Sequence, residues 1–289
     1  MKVREITPAV GAEISDLDIN LMTGGEFDGV VEAWDNHGGL LFRNQNLSNE
    51  AFVAFASRFG ELEAAPVLAN GRTPVPGYPE IYVVSNVIGS DGKPIGSLGA
   101  GEAVWHTDMS YLENPPDASM LYALELPPAG GDTWLAGMSA AYEGLSDDLK
   151  DKISGKRIKH DGTFNSGGFR RAGVEVREDP RESVGAYHPI VCAHPRTGRP
   201  ALYLGRRRLA YVEGLELPES EALLDELWEH ATKSEFVFAH KWRVGDLLVW
   251  DNRATLHRRD PFDAEARRIM HRTQIKGATA PNAVCTQNI

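Results

Sequence analysis

The chain has 289 residues, with 30 Lys plus Arg against 41 Asp plus Glu, a formal net charge of −11 and a pI near 5.3. That balance argues against nucleic acid or an anionic membrane as partner, since both call for a basic face. Two cysteines, Cys192 and Cys285, stand in no CxxC spacing, which predicts free thiols in a reducing compartment rather than a disulfide framework.

Short β-branched or aromatic runs bounded by Gly, Pro and Asn recur along the chain and predict strands. In order, the first lies at 39–42. A helix then follows a Ser48 cap, with Phe52, Phe55, Ala56 and Phe59 at i, i+3, i+4, i+7. Further strands are expected at 81–85, 104–108, 120–124, 132–135, 184–193 and 201–204. Pro218 opens a second helix, whose Leu223, Leu224, Leu227, Trp228 and Ala231 form one apolar stripe. Strands at 236–239 and 247–250, a turn at 251–253, a strand reaching His257 and another at 268–275 complete the set. No repeat, low-complexity tract or linker divides the chain, so one domain over 1–289 is expected. A mainly β chain with inserted helices fits a jelly-roll double sheet better than a doubly wound α/β fold. The opening MKVREITPAV has no apolar signal core, and no run of about eighteen apolar residues occurs. A cytoplasmic location is expected.

Residues 86–103 are the longest stretch without periodicity. Gly96, Gly99 and Gly101 do not make the dinucleotide fingerprint they superficially suggest, because a strand follows them where that motif needs a helix. A loop that closes over a site is the expectation here.

His106-Thr107-Asp108 is the first chemical signal. On a strand, residues i and i+2 share a face, so the imidazole and the carboxylate converge while Thr107 points away. Such a pair is either half of a metal site or a hydrogen-bonded His–Asp couple; with nine histidines, about one His-x-acid pair arises by chance. His257 would complete a set of two imidazoles and one carboxylate. That set suits mononuclear Fe(II) with open coordination positions, and also catalytic zinc. In the last strand Arg268, Met270, Arg272 and Gln274 alternate with Ile269, His271, Thr273 and Ile275. The two arginines would lie about 13 Å apart on one side. They suit either a pocket for a dicarboxylate or for two separate anions, or an exposed basic edge strand.

The segments WHTDMSYLENPP, LPPAGGDTWLA, HPRTGRPALYLG, GDLLVWDNRATLHRRD and RRIMHRTQI carry a specific likeness. Thr133 lies 27 residues after His106, and Arg268 lies 11 after His257. From about residue 5 to 277 the chain resembles the taurine dioxygenase (TauD/TfdA) family, which includes chlorophenoxyacetate dioxygenases. The resemblance implies a double-stranded β-helix that couples oxidative decarboxylation of 2-oxoglutarate to oxidation of a second, usually anionic substrate. It implies Fe(II) held by His106, Asp108 and His257, with O₂ and 2-oxoglutarate as co-substrates and succinate and CO₂ as products. Thr133 and Arg268 correspond to the groups on the distal carboxylate of 2-oxoglutarate. Arg272 corresponds to the arginine near its C1 carboxylate or near the acid of the prime substrate. Met109 and Tyr111 correspond to pocket residues just past the metal motif. Family members commonly form dimers or tetramers, so a homo-oligomer is expected.

Glu102 departs from the pattern. It stands where taurine-specific members carry an amide, and an acid there would repel a sulfonate or hold an amine. The expected substrate is a small organic anion: a sulfonate or sulfate ester, an aryloxyalkanoate, or an amino-acid-like metabolite. Oxidation at a carbon bearing S, O or N would break the carbon–heteroatom bond. The runs Arg206-Arg207-Arg208 and Arg170-Arg171 either collect that anion or are salt-bridged surface loops. Two other readings use the same ligand set: a non-catalytic jelly-roll binder of metal or anion, and a zinc-dependent hydrolase.

Overall fold

A computed structural model describes residues 1–65 and 75–284; Cys285 lies outside them. Their core is two facing β-sheets. The larger has eight strands, and at its centre Ala118–Glu125 pairs antiparallel with Leu247–Asp251 on one side and Ile269–Ile275 on the other. Gly39–Phe42 extends it beyond Leu247–Asp251, and Tyr82–Ser85 beyond Ile269–Ile275. The smaller sheet runs Val237–His240, Thr133–Gly137, Thr255–Arg259, Ala103–His106.

In the larger sheet the strands Gly39–Phe42, Leu247–Asp251 and most of Ala118–Glu125 are buried on both faces, which is why they read as unbroken apolar runs rather than alternating ones. Leu41, Leu121, Ala123, Leu248, Trp250 and Met270 point inward and meet Leu135 of the smaller sheet. Their neighbours Leu40, Phe42, Met120, Tyr122, Leu247 and Val249 point outward, against the helices Gly24–His37 and Asn49–Ser57. Phe52 and Phe55 are almost fully buried there, each stabilising by about 2–3 kcal/mol. Behind the smaller sheet, Leu223, Leu224, Leu227 and Trp228 of Leu217–Ala231 pack on Ala136 and Leu256. No helix among the described residues is long and apolar enough to cross a membrane.

The expected helix behind Ser48 forms, and Ser48 Oγ accepts from Ala51 N–H. Pro218 sits in the first turn of the second helix. Three differences matter. Ala103–His106 ends at His106, so Asp108 stands in the turn beyond the strand. The expected strand 184–193 divides at Ile190 into Tyr187–Pro189 and Val191–Ala193, which join different small sheets. The helix Gly24–His37 was not anticipated, because two glycines open it. Its signal was the capping box in which Thr23 and Glu26 exchange hydrogen bonds. Cys192 is buried and free, and burial pushes its thiol up to about 12.

The turn between Leu247–Asp251 and Thr255–Arg259 is tied down by Asp251. Its buried carboxylate accepts from His194 Nε2 at 2.9 Å and from Arg253 Nε and Nη2 at 2.8 and 2.6 Å. Burial alone would raise its pKa, but Arg253 and then His194 outweigh burial and hold it far below the usual carboxylate range. A carboxylate with a depressed folded pKa stabilises fully above its unfolded value of about 3.9, and that contribution fades as pH falls further. Asp251→Asn is expected to cost about 3–5 kcal/mol at neutral pH. Urea unfolding should show the gap to wild type narrowing below about pH 4.

Candidate active site

Strand periodicity delivers the site. In Thr255–Arg259, Leu256 faces the outer helix while His257 and Arg259 face inward. His106 lies directly opposite His257 across the ladder, and Thr133 opposite Arg259. From the larger sheet, Arg272 and Gln274 pair with Leu121 and Ser119. All of these meet at one end of the space between the sheets.

His106, Asp108 and His257 are buried, and one donor atom from each lies within 4.8 Å of the others. His106 Nε2 and His257 Nε2 each stand 3.6 Å from Asp108 Oδ1, too far for hydrogen bonds. The other carboxylate oxygen, Oδ2, accepts from Ser119 Oγ at 2.7 Å and pairs with Arg272 Nη2 at 2.5 Å. Oδ1 is therefore the oxygen left for a cation. His106 Nδ1 lies 2.7 Å from Val104 O, so it carries the proton and Nε2 keeps its lone pair toward the site. His257 is oriented by packing on Trp250, with ring centroids 4.8 Å apart. Burial, then His106, holds the His257 pKa well below the ordinary imidazole value. A neutral ring is the ligating form. For Asp108, burial is outweighed by Arg272, then His257 and His106, so it stays ionised.

The same cavity reaches a cationic end. Arg268, Arg259 and Thr133 line it together with His106, His257 and Arg272, and Val84, Leu98, Leu121 and Trp250 make its apolar walls. Arg268 is 1% exposed, and its Nε and Nη2 have no partner among the described residues. Arg259 gives hydrogen bonds only to the carbonyls of Leu98 and Gly101, and its Nε is also unpartnered. Burial, with Arg259 beside it, lowers Arg268 to about 9, and burial lowers Arg259 to about 10. Both remain charged at neutral pH. Thr133 Oγ1 accepts from Trp242 Nε1 at 3.0 Å, which leaves its hydroxyl proton to donate. Two buried guanidiniums without a carboxylate are costly unless an anion joins them.

A second, larger cavity of about 580 Å³ opens beyond Asp108, lined by Met109, Tyr111, Ser97, Leu98, Arg171, Arg206 and Arg272 among others. Thus His106, Asp108, His257, Thr133, Arg268 and Arg272 converge, and Met109 and Tyr111 reach the adjoining space. Glu102 does not. It is exposed, one residue before its strand begins, with its carboxylate 3.9 Å from Arg258, and it lines neither cavity. Its place on the motif put it near the metal; the chain carries it outward instead.

The model of the taurine catabolism dioxygenase TauD, TfdA family matches residues 2–274. The chain belongs to this family. It is 38% identical over 274 residues to the α-ketoglutarate-dependent 2,4-dichlorophenoxyacetate dioxygenase of Cupriavidus pinatubonensis, covering 92% of this chain and 94% of that protein. It is 30% identical to the (S)-phenoxypropionate/α-ketoglutarate dioxygenase of Delftia acidovorans, covering 94% and 95%. The crystal structure of AAD-2 with Mn(II) and N-oxalylglycine superposes with a TM-score of 0.78 at 31% identity, covering 97% and 98% of the two chains. As a TauD/TfdA protein the chain is an Fe(II)- and 2-oxoglutarate-dependent dioxygenase, of mainly β fold.

Two contributors were not anticipated. Arg259 could have been found from its i, i+2 relation to His257 in one strand. Ser119 carried no signal, because it reaches Asp108 from the other sheet. Ser119 also accepts from Asn252 Nδ2 and Gln274 Nε2 at 3.2 and 3.3 Å, so its hydroxyl proton is directed onto Asp108. Groups that orient a ligating side chain typically carry about 10–100-fold in metal affinity. Ser119→Ala is expected to weaken Mn(II) binding by at least about tenfold on that scale, read by calorimetry.

Proposed function

We propose that the chain, as one domain over 1–289, oxidises a small organic acid of the aryloxyalkanoate kind, releasing succinate and CO₂. His106, Asp108 and His257 would hold Fe(II), whose open coordination positions supply the activation of O₂. The observation that carries this reading is the pair of unsatisfied arginines in the same cavity as the two imidazoles. A short dicarboxylate would lie there with one carboxylate on Arg268 and Thr133, its methylenes against Leu121 and Val84, and its other end toward the three ligands. A zinc hydrolase would use the same ligands but leave Arg268, Arg259 and Thr133 without work.

The chain's own groups account for the rest. Ser119 and Arg272 keep the Asp108 carboxylate turned so that Oδ1 faces inward. Arg272 lines both cavities and stands where the acid of a prime substrate would meet the co-substrate. Met109 and Tyr111 support the substrate's apolar body, and the apolar walls exclude water. Residues 86–103 reach the site through Ser97, Leu98 and Gly99, and we assign them the closing loop. The relatives' substrates, 2,4-dichlorophenoxyacetate and (S)-phenoxypropionate, are aryloxy acids, and the larger cavity offers the basic and apolar surface such acids need. Cleavage follows when the oxidised carbon carries the ether oxygen, because the resulting hemiacetal collapses.

Succinate released from labelled 2-oxoglutarate should require Fe(II) and O₂ and should rise when 2,4-dichlorophenoxyacetate or a related acid is added. Absence of succinate under all these conditions would remove the reading. Arg268→Ala should raise the KM for 2-oxoglutarate by roughly thirtyfold or more, since removing one partner of a buried charge pair costs about 2–5 kcal/mol. Arg268→Lys should recover only part of this, lacking the planar fork.

A further inference from the structure

The larger cavity holds cationic groups that a monoacid would leave unmatched. Arg272 is already engaged by Asp108 Oδ2. Among the described residues neither Arg206 nor Arg171 has a carboxylate within ion-pairing distance, in contrast to Arg272 and Arg207. Arg206 is 5% exposed. One of its Nη atoms donates to the Phe164 carbonyl, while its Nε has no partner. The Arg171 guanidinium lies over the Tyr111 ring, 4.4 Å from its centroid, and its Nε is likewise buried and unpartnered.

The neighbouring arginines show the contrast. Arg207 is spent on Glu221 and Asp225 of the helix Leu217–Ala231, both at 2.7 Å. Arg208 lies 3.4 Å from the centre of the Phe164 ring. Only Arg206 of this run is turned into the cavity.

Its place is built, not incidental. The Thr107 N–H, between two of the metal-site residues, donates to Gly205 O at 3.0 Å, which fixes the next residue beside the metal motif. Gly205 has φ +70°, and a Cβ there would lie 1.9 Å from His160 Nδ1 and 2.8 Å from Ser110 Oγ. The backbone thus takes a path that only glycine permits, and it holds against the cavity a guanidinium that is not ion-paired with any described carboxylate, although Asp161 and Asp108 act on it from further away. Glu63 and Glu80 also line this cavity, but both are partly exposed, where water screens them.

We propose that Arg206, with Arg171 beside it, is a second anion subsite, and that the prime substrate carries two acidic groups, one toward Arg272 and one on Arg206. Met109, Tyr111 and Phe169 would contact the aromatic or apolar portion between them. This rests on reading the larger cavity as the prime-substrate site.

The test is calorimetric binding to the protein loaded with Mn(II) and N-oxalylglycine, using phenoxyacetate and its 3- and 4-carboxy derivatives. At least one diacid should bind about tenfold or more tightly than phenoxyacetate, as expected for a second charge-paired contact. Arg206→Gln should abolish that advantage, Arg206→Lys should keep part of it, and Arg171→Gln should reduce it. The affinity of the variants for N-oxalylglycine should match wild type, which shows that the fold and the inner site are intact. Equal affinities for mono- and diacids in wild type, or an advantage that survives Arg206→Gln, would overturn the proposal. Failure of wild type to bind N-oxalylglycine at all would instead sink the co-substrate reading, and this proposal with it.

Discussion

The hydrogen bond from Ser119 to Asp108 joins the two sheets at the point where everything else converges. The smaller sheet supplies both imidazoles by cross-strand pairing, a relation that is rigid once the ladder forms. The carboxylate has no such support, because it stands in a turn past the end of its strand, beside Met109 in a left-handed conformation. Ser119 and Arg272, both from the larger sheet, fix it from the opposite side. A metal site assembled this way forms only when the two sheets are packed, so metal affinity and tertiary packing are one property.

The site also stores unfavourable charge. Four arginines that are buried or partly buried (Arg268, Arg259, Arg206 and Arg171) face cavities without a carboxylate partner, in a chain whose net charge is −11. Acids also line the larger cavity, but Asp108 is spent on Ser119 and Arg272, and Glu63 and Glu80 are partly exposed. Each of these charges depends on carbonyls, an aromatic face or a ligand for compensation, and their desolvation weakens the ligand-free fold. The anionic co-substrate then contributes stability as well as occupancy, since a ligand that binds only the native state shifts the folding equilibrium.

The sequence made the framework legible where local physics decides. Apolar runs gave the central strands, the Ser48 cap and the Pro218 start gave two helices, and the family-like motifs singled out His106, Asp108, His257, Thr133 and Arg268, which the fold brings to one place. What was hidden depends on non-local pairing. Asp108 lies in the turn past its strand and is met there by Ser119 of the other sheet. Glu102 is turned outward by the course of a loop, which motif spacing does not encode. The run Arg206-Arg207-Arg208 left open whether it gathers an anion or bridges surface acids, and the structure divides it by residue: Arg207 bridges, Arg208 stacks, and Arg206 faces the cavity. Three identical side chains in a row cannot be told apart without knowing which carbonyl, ring or acid each one meets.

The two cavities are built from different material, and this separates chemistry from specificity. The inner one is made mostly of strand residues and those at strand ends, where His106, His257, Thr133 and Arg259 are locked by one ladder and Arg272 by another. Moving any of them would break the register of a whole strand, so this part resists change. The outer one shares strand residues such as Leu98, Arg272 and Gln274 but adds turns and loops, with Met109, Tyr111, Gly99, Arg171 and Arg206, where a substitution disturbs few backbone hydrogen bonds. Relatives that share about a third of their residues with this chain can therefore keep one oxidative chemistry while taking different acids.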